Sequence, residues 1–154
     1  MPRRGLTDAK DRFFSVIVYL IPLYYSLGFA SFVLQQIPPL RVILIPLAPI
    51  GAVYNSIPFA SLIIFFVLYL AVVRNEKISH FIRFNTLQAI LLDIALFLIS
   101  LLGSILGAGF IWEIFSSVVF LGTLIACGYS MFQSARGFYA EMPTISDAAY
   151  AQLR

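Results

Sequence analysis

The sequence predicts an all-helical integral membrane protein with four transmembrane helices, and three observations carry that prediction. The 154-residue chain is 61% hydrophobic and 11% charged, with a mean hydropathy of +0.96, whereas soluble domains carry about 25% charged residues. Four apolar stretches reach the length of a bilayer crossing, about 20 residues at 1.5 Å rise across ~30 Å of hydrocarbon. The basic side chains flank these stretches instead of forming a patch with interleaved aromatics. That is the pattern that orients membrane proteins, and it excludes nucleic acid as a partner.

The first span is Phe13 to Leu34, 22 residues without a charge. Pro22 in its middle should kink it by freeing a carbonyl near Val18. Next comes Leu40 to Tyr54, apolar except for Arg41 and broken by Pro46 and Pro49. Charge decides how to read it. If it does not span, nine basic residues (Arg3, Arg4, Lys10, Arg12, Arg74, Lys77, Arg83, Arg136, Arg154) share one side and only Arg41 lies opposite. If it spans, that asymmetry disappears. It is therefore expected as a short non-spanning apolar segment between the first and second spans.

The second span is Ile57 to Val73, with Pro58 harmless in its first turn. The third is Phe84 to Gly103, with Asp93 inside. The fourth is drawn over 111–135, of which Ile114 to Ala135 is free of charge. Gly103, Gly107 and Gly109 mark the turn before it, and Trp112 falls where an interfacial anchor belongs. The whole of 1–154 reads as one four-helix membrane domain (spans 13–34, 57–73, 84–103, 111–135). Its polar tail, 136–154, ends in a short helix starting at Ser146 or Asp147. Both termini are expected on the cytoplasmic or equivalent side. Arg12 runs straight into a full-length span with no cleavage pattern, and no transit peptide precedes it. The sequence thus reads as bacterial, organelle-encoded or already processed.

Chemistry-bearing residues are few. Cys127 stands alone, so neither an internal disulfide nor a thiolate cage can form. His80 is the only histidine and Asp93 the only acid inside a charge-flanked apolar run, Glu113 falling at the very start of the fourth span. No metal site, no cofactor and no catalytic constellation is expected, since a membrane aspartyl protease needs two acids and nothing orients Ser104 toward His80.

Asp93 is the sharpest signal. It lies roughly 15 Å below Arg83, at a depth where a charge costs about 2.5 to 3.5 kcal/mol. It is either a carboxyl kept neutral by desolvation that glues helices together, or part of a polar path. Asn85 lies about 60° from Gln88 and about 80° from Asp93 around the helix, which gives a polar intramembrane face of Asn85, Gln88 and Asp93. Arg74, Lys77, His80 and Arg83 form an interfacial basic loop suited to lipid phosphates or a docking partner. Gly122, Ala126, Ser130 and Ser134, every fourth residue, form a small-residue stripe for helix packing.

The runs NSIPFASLIIFFVLYLAVVRN (55–75) and ISHFIRFNTLQAILLDI (78–94), with KDRFF near the start and PTISDAAYAQLR at the end, resemble the twenty-kilodalton subunit family of the chloroplast inner-envelope protein translocon, TIC. The likeness is greatest to its cyanobacterial and plastid-encoded members. The resemblance implies a four-helix subunit of a preprotein translocon in the plastid inner envelope or a cyanobacterial membrane. The partners it implies are the lipid bilayer, other translocon membrane subunits, preproteins and further copies of the chain. Arg83, Asn85, Gln88 and Asp93 match its signature block. Two other readings stay open: a small-solute or ion channel or transporter using the polar face, and a scaffold packing other membrane proteins.

Overall fold

A computed structural model describes residues 8–107, 109–140 and 145–153. Arg3, Arg4, Arg154 and the first residues of the tail motif, Pro143 and Thr144, lie outside the described residues. Those described are helical, with no strand among them.

Helix α1 (Ala9–Ile17) begins at Asp8, whose carboxylate accepts the Asp11 N–H at 2.9 Å. It gives way at Val18 and Tyr19 to α2 (Leu20–Tyr25), followed by a 3₁₀ turn, Ser26–Phe29. The break has a local cause. Pro22 has no N–H to offer the Val18 carbonyl, which accepts from Ile21 at 3.2 Å instead. The apolar rod Ala9–Phe29 then ends, and α3 (Ser31–Gln36) follows as a separate short helix.

The middle of the chain departs from the expected boundaries. Leu40 to Tyr54 is helical: a 3₁₀ segment, Pro38–Ile43, runs into α4 (Leu44–Ser56). Together they form a 19-residue apolar helix long enough to cross a membrane. Pro38 and Pro39 start this helix rather than breaking it, Pro46 falls in the first turn of α4, and Pro49 alone is interior. The break comes at the next proline. After Pro58, Phe59 adopts φ 56°, ψ 32°, a left-handed conformation, so α5 (Ala60–Val67) starts three residues later than expected. A π-helical turn, Leu68–Val73, extends it, and Ala60–Val73 is the shorter apolar helix. Phe59 is 80% exposed and contributes little packing. Phe59→Gly should therefore stabilise the protein by about 1 kcal/mol, read as a rise in the thermal midpoint, because glycine takes this backbone geometry without strain.

The last two long helices are α6 (His80–Leu106) and α7 (Phe110–Ala135), followed by α8 (Ile145–Gln152). Ser79 caps α6 through its hydroxyl to the Ile82 N–H, and Gly107, with φ 76°, ends it. Gly103 leaves room for the Trp112 ring, which any Cβ there would strike. Trp112 is thereby packed on α6 and near Phe29.

Three buried clusters stack along the bundle. Phe29, Ala30, Val33, Leu96 and Phe120 fill one end, Tyr19, Leu23, Leu47, Ala89, Leu92 and Cys127 the middle, and Phe81, Phe84, Leu87, Tyr139, Ala149 and Leu153 the other end. The charged segments meet at that second end. Asp8, Lys10 and Asp11 line one cavity together with Lys77 and Ser79, and Tyr139 reaches His80. The chain thus leaves this end along α1 and is back at it by Arg74. Only an even number of traverses does that, so Pro38–Ser56 and Ala60–Val73 together make one net return. Helix α4 packs against α2: Leu47 sits in the middle cluster, and Tyr24 lies against Gly51 with its ring tilted 38° to that of Tyr54.

Candidate functional site: a buried polar knot and a cavity beside it

Buried polar groups in a bundle seek partners, and several of them find theirs in one place. Tyr19 donates its hydroxyl proton to Asn85 Oδ1 at 2.6 Å and accepts from Gln88 Nε2 at 2.9 Å. Asn85 Oδ1 also accepts from Ser134 at 3.0 Å, and its amide donates to the Phe81 carbonyl at 2.9 Å. Gln88 gives its second amide proton to the Ala140 carbonyl at 2.9 Å, and its Oε1 accepts from Ser146 at 2.6 Å. Ser130 bonds to Tyr19 as well. Asn85 and Gln88 are 0% exposed. Every polar atom of their two amides thus has a partner within the protein. The knot ties the first helical rod, α6, α7, the segment after α7 and α8 into one unit.

Aromatic packing reinforces the tie. Tyr150 of α8 stacks on Phe84 with centroids 4.6 Å apart, and Tyr139 meets Phe81 and Phe84 edge-on at 5.1 and 5.0 Å.

Asp93 is not part of this knot. Measured from Asn85, Gln88 and Asp93 fall on opposite sides of α6, which puts them roughly 140° apart. Asp93 instead sits near Tyr54 of α4 and Cys127 of α7. Its Oδ1 is enclosed and has no hydrogen-bond partner among the described residues.

The basic loop also divides. Arg83 donates to the Val73 carbonyl at 2.8 Å, and His80 Nδ1 is 2.8 Å from the Tyr139 hydroxyl. Arg74 and Lys77 stay exposed. In the small-residue stripe, Ser130 and Ser134 are buried in the knot, Ala126 is half-buried, and Gly122 faces open space. A four-residue repeat drifts about 40° per step, so Gly122 lies roughly 120° away from Ser134. The buried seam of α7 follows Ser116, Phe120, Thr123, Cys127, Ser130 and Ser134, alternating steps of four and three.

Beside the knot, between α1, the π-helical turn and the start of α6, lies a cavity of about 550 Å³. Its charged end, the mouth, carries Asp8, Lys10, Asp11 and Lys77, the other lining residues are mostly apolar, and buried Thr86, next to Asn85, is among them. The polar signals missed in the sequence are Tyr19, which looks like an ordinary membrane aromatic, and Ser146, which looks like a helix cap. A tyrosine hydroxyl more than one helical turn inside an apolar run was the available clue, because a buried hydroxyl needs a partner. Among the described residues no cluster of histidine, cysteine and acidic side chains is placed to hold a metal.

A family model described as chloroplast import apparatus Tic20-like matches residues 9–149. The chain belongs to the Tic20 family. It is similar to a Tic20 family protein of Synechocystis, 49% identical over 160 residues, covering 100% of this chain and 99% of that one. It is also similar to Protein TIC 20-II, chloroplastic, of Arabidopsis thaliana, 36% identical over 156 residues, covering 96% of this chain and 74% of the relative. A third relative is the Tic20 family protein Ycf60 of Gracilaria tenuistipitata, 36% identical over 162 residues, covering 93% and 75%. All knot residues, from Tyr19 to Ser146, fall inside the Tic20 match.

Proposed function

We propose that this protein is a membrane-embedded subunit of a protein translocon, working within a larger assembly. Membership of the Tic20 family over residues 9–149 carries the reading, and the bundle's interior limits the form it takes. The axis is filled by Tyr19, Phe84, Asn85, Gln88 and Phe120, all 0% exposed, so no polypeptide-wide path runs through the knot. A conduit for an unfolded chain has to form between this bundle and other subunits or further copies. The broad exposed apolar faces of α6 and α7, including Phe97, Leu101, Ile105, Ile114, Val118 and Ile125, are suited to such neighbours and to lipid.

The charged end, bearing Lys10, Arg12, Arg74, Lys77 and Arg136, lies on the stromal or cytoplasmic side in this reading. Cysteines introduced at Lys77 and Arg136 in a Cys127→Ala background should be labelled from one side, and one at Arg41 from the other. Photo-crosslinkers at Leu101 and Val118, used in native membranes with cargo engaged, should capture membrane subunits and preproteins. Capture of the same membrane subunits with and without cargo, and never of preprotein, supports a scaffold instead.

A further inference from the structure

The cavity beside the knot has a shape that selects its occupant. It runs along the first helical rod from Asp8 to Ile21, roughly 20 Å at 1.5 Å per residue. That is the thickness of one leaflet with its headgroups, since a whole bilayer measures about 40–45 Å. Polarity is sorted along that length: Asp8, Lys10, Asp11 and Lys77 lie at one end, and Phe14, Ile21, Leu68, Val72 and Ile82 line the remainder, the shaft. One wall is the π-helical turn Leu68–Val73, and such turns recur at functional sites because they widen a helix locally.

We propose that the cavity is a lipid site, with one acyl chain of a zwitterionic glycerophospholipid in the shaft and its phosphate between Lys10 and Lys77. The carboxylates of Asp8 and Asp11 at the same mouth suit a headgroup whose phosphate is followed by an amine. They oppose one with additional negative charge. Each residue of an extended peptide would bring an N–H and a C=O into a shaft lined by hydrocarbon. Each group left unpaired there costs several kcal/mol. An acyl chain carries no such groups.

The test uses the full chain in detergent micelles and a phosphatidylethanolamine with a photoactivatable acyl chain, followed by peptide mapping. Labelling should concentrate on residues 14–21, 68–72 and 82–86. Val72→Trp, which fills the shaft, should reduce it at least tenfold; if that variant does not keep the wild-type thermal transition, Ile82→Phe serves in its place. The double variant Lys10→Ala with Lys77→Ala should reduce it at least threefold. A diacylglycerol with the same photoactivatable chain and no phosphate should label no better than that double variant labels with the phospholipid. Label spread evenly over the exposed faces of α6 and α7, unchanged in the filled variant, would mean annular lipid only and overturn the proposal. Displacement of the probe by an apolar peptide but not by excess phospholipid would overturn it too, assigning the shaft to polypeptide. No cargo enters the experiment, so its outcome is independent of the translocon reading.

Discussion

Gln88→Leu should release α8 from the bundle and lower stability by roughly 2–4 kcal/mol. The substitution roughly keeps side-chain volume while removing three hydrogen bonds, those to Tyr19, to the Ala140 carbonyl and from Ser146. An orphaned buried group costs about 1–3 kcal/mol in a soluble core. Inside membrane bundles the measured average is nearer ~0.6, with a maximum of ~1.7, because released groups find other partners. Three such losses are a large share of a typical total of about 5–15 kcal/mol. Ser146→Ala breaks only the last of these contacts and should cost about 1 kcal/mol or less. Hydrogen exchange checks the assignment. Protection should fall over 145–153 in Gln88→Leu while that of α6 around Leu96 is retained. Unchanged protection of α8 would mean that the stack of Tyr150 on Phe84 alone holds it.

Substitutions at Asp93 should move stability in opposite directions. Its Oδ1 is enclosed without a partner among the described residues, so Asp93→Leu removes an unsatisfied group and should raise the thermal midpoint, by an amount equivalent to about 1 kcal/mol or more. Asp93→Asn keeps the shape and should stay within about 1 kcal/mol of the native chain. Asp93→Lys places an obligatory strong base near mid-depth, at a cost of about 2.5 to 3.5 kcal/mol. Thermal unfolding in micelles and yield from membranes read all three. A more stable Asp93→Leu that no longer supports transport in membranes would mark Asp93 as kept for function. In that case a small hydrophilic thiol reagent should reach a cysteine at 93 and leave one at 88 protected. Equal protection of both removes the channel reading.

The sequence made legible what depends on one helix at a time. Span count, the turn at Gly107 and the break forced by Pro22 all follow from local chemistry. The gathering of charge at one end followed from the same sorting of basic residues that orients the chain. What it hid depends on accumulated rotation and on partners distant in the chain. Asn85, Gln88 and Asp93 look like one face when each is measured from Asn85, yet Gln88 and Asp93 turn away from one another. Gly122 to Ser134 looks like a stripe until the 40° drift is summed. The prolines of 38–49 look like helix breakers by composition, but only their positions within a helix show that Pro38 and Pro39 begin one. Tyr19 meets Asn85 and Gln88 across 66 and 69 residues of sequence, a separation no local pattern encodes.

That separation also sets the order in which the molecule can be finished. The first helical rod contributes Tyr19, but its partners arrive with α6, and the last of Gln88's partners is Ser146, 58 residues further along the chain. A chain made from the N-terminus at about 5–20 residues per second holds Tyr19 and then Gln88 inside the membrane for several seconds with their hydrogen bonds unmade. Helix α8 is therefore the last element to join the knot. Until it docks, the Gln88 amide oxygen lacks the Ser146 hydroxyl, and its arrival supplies that partner.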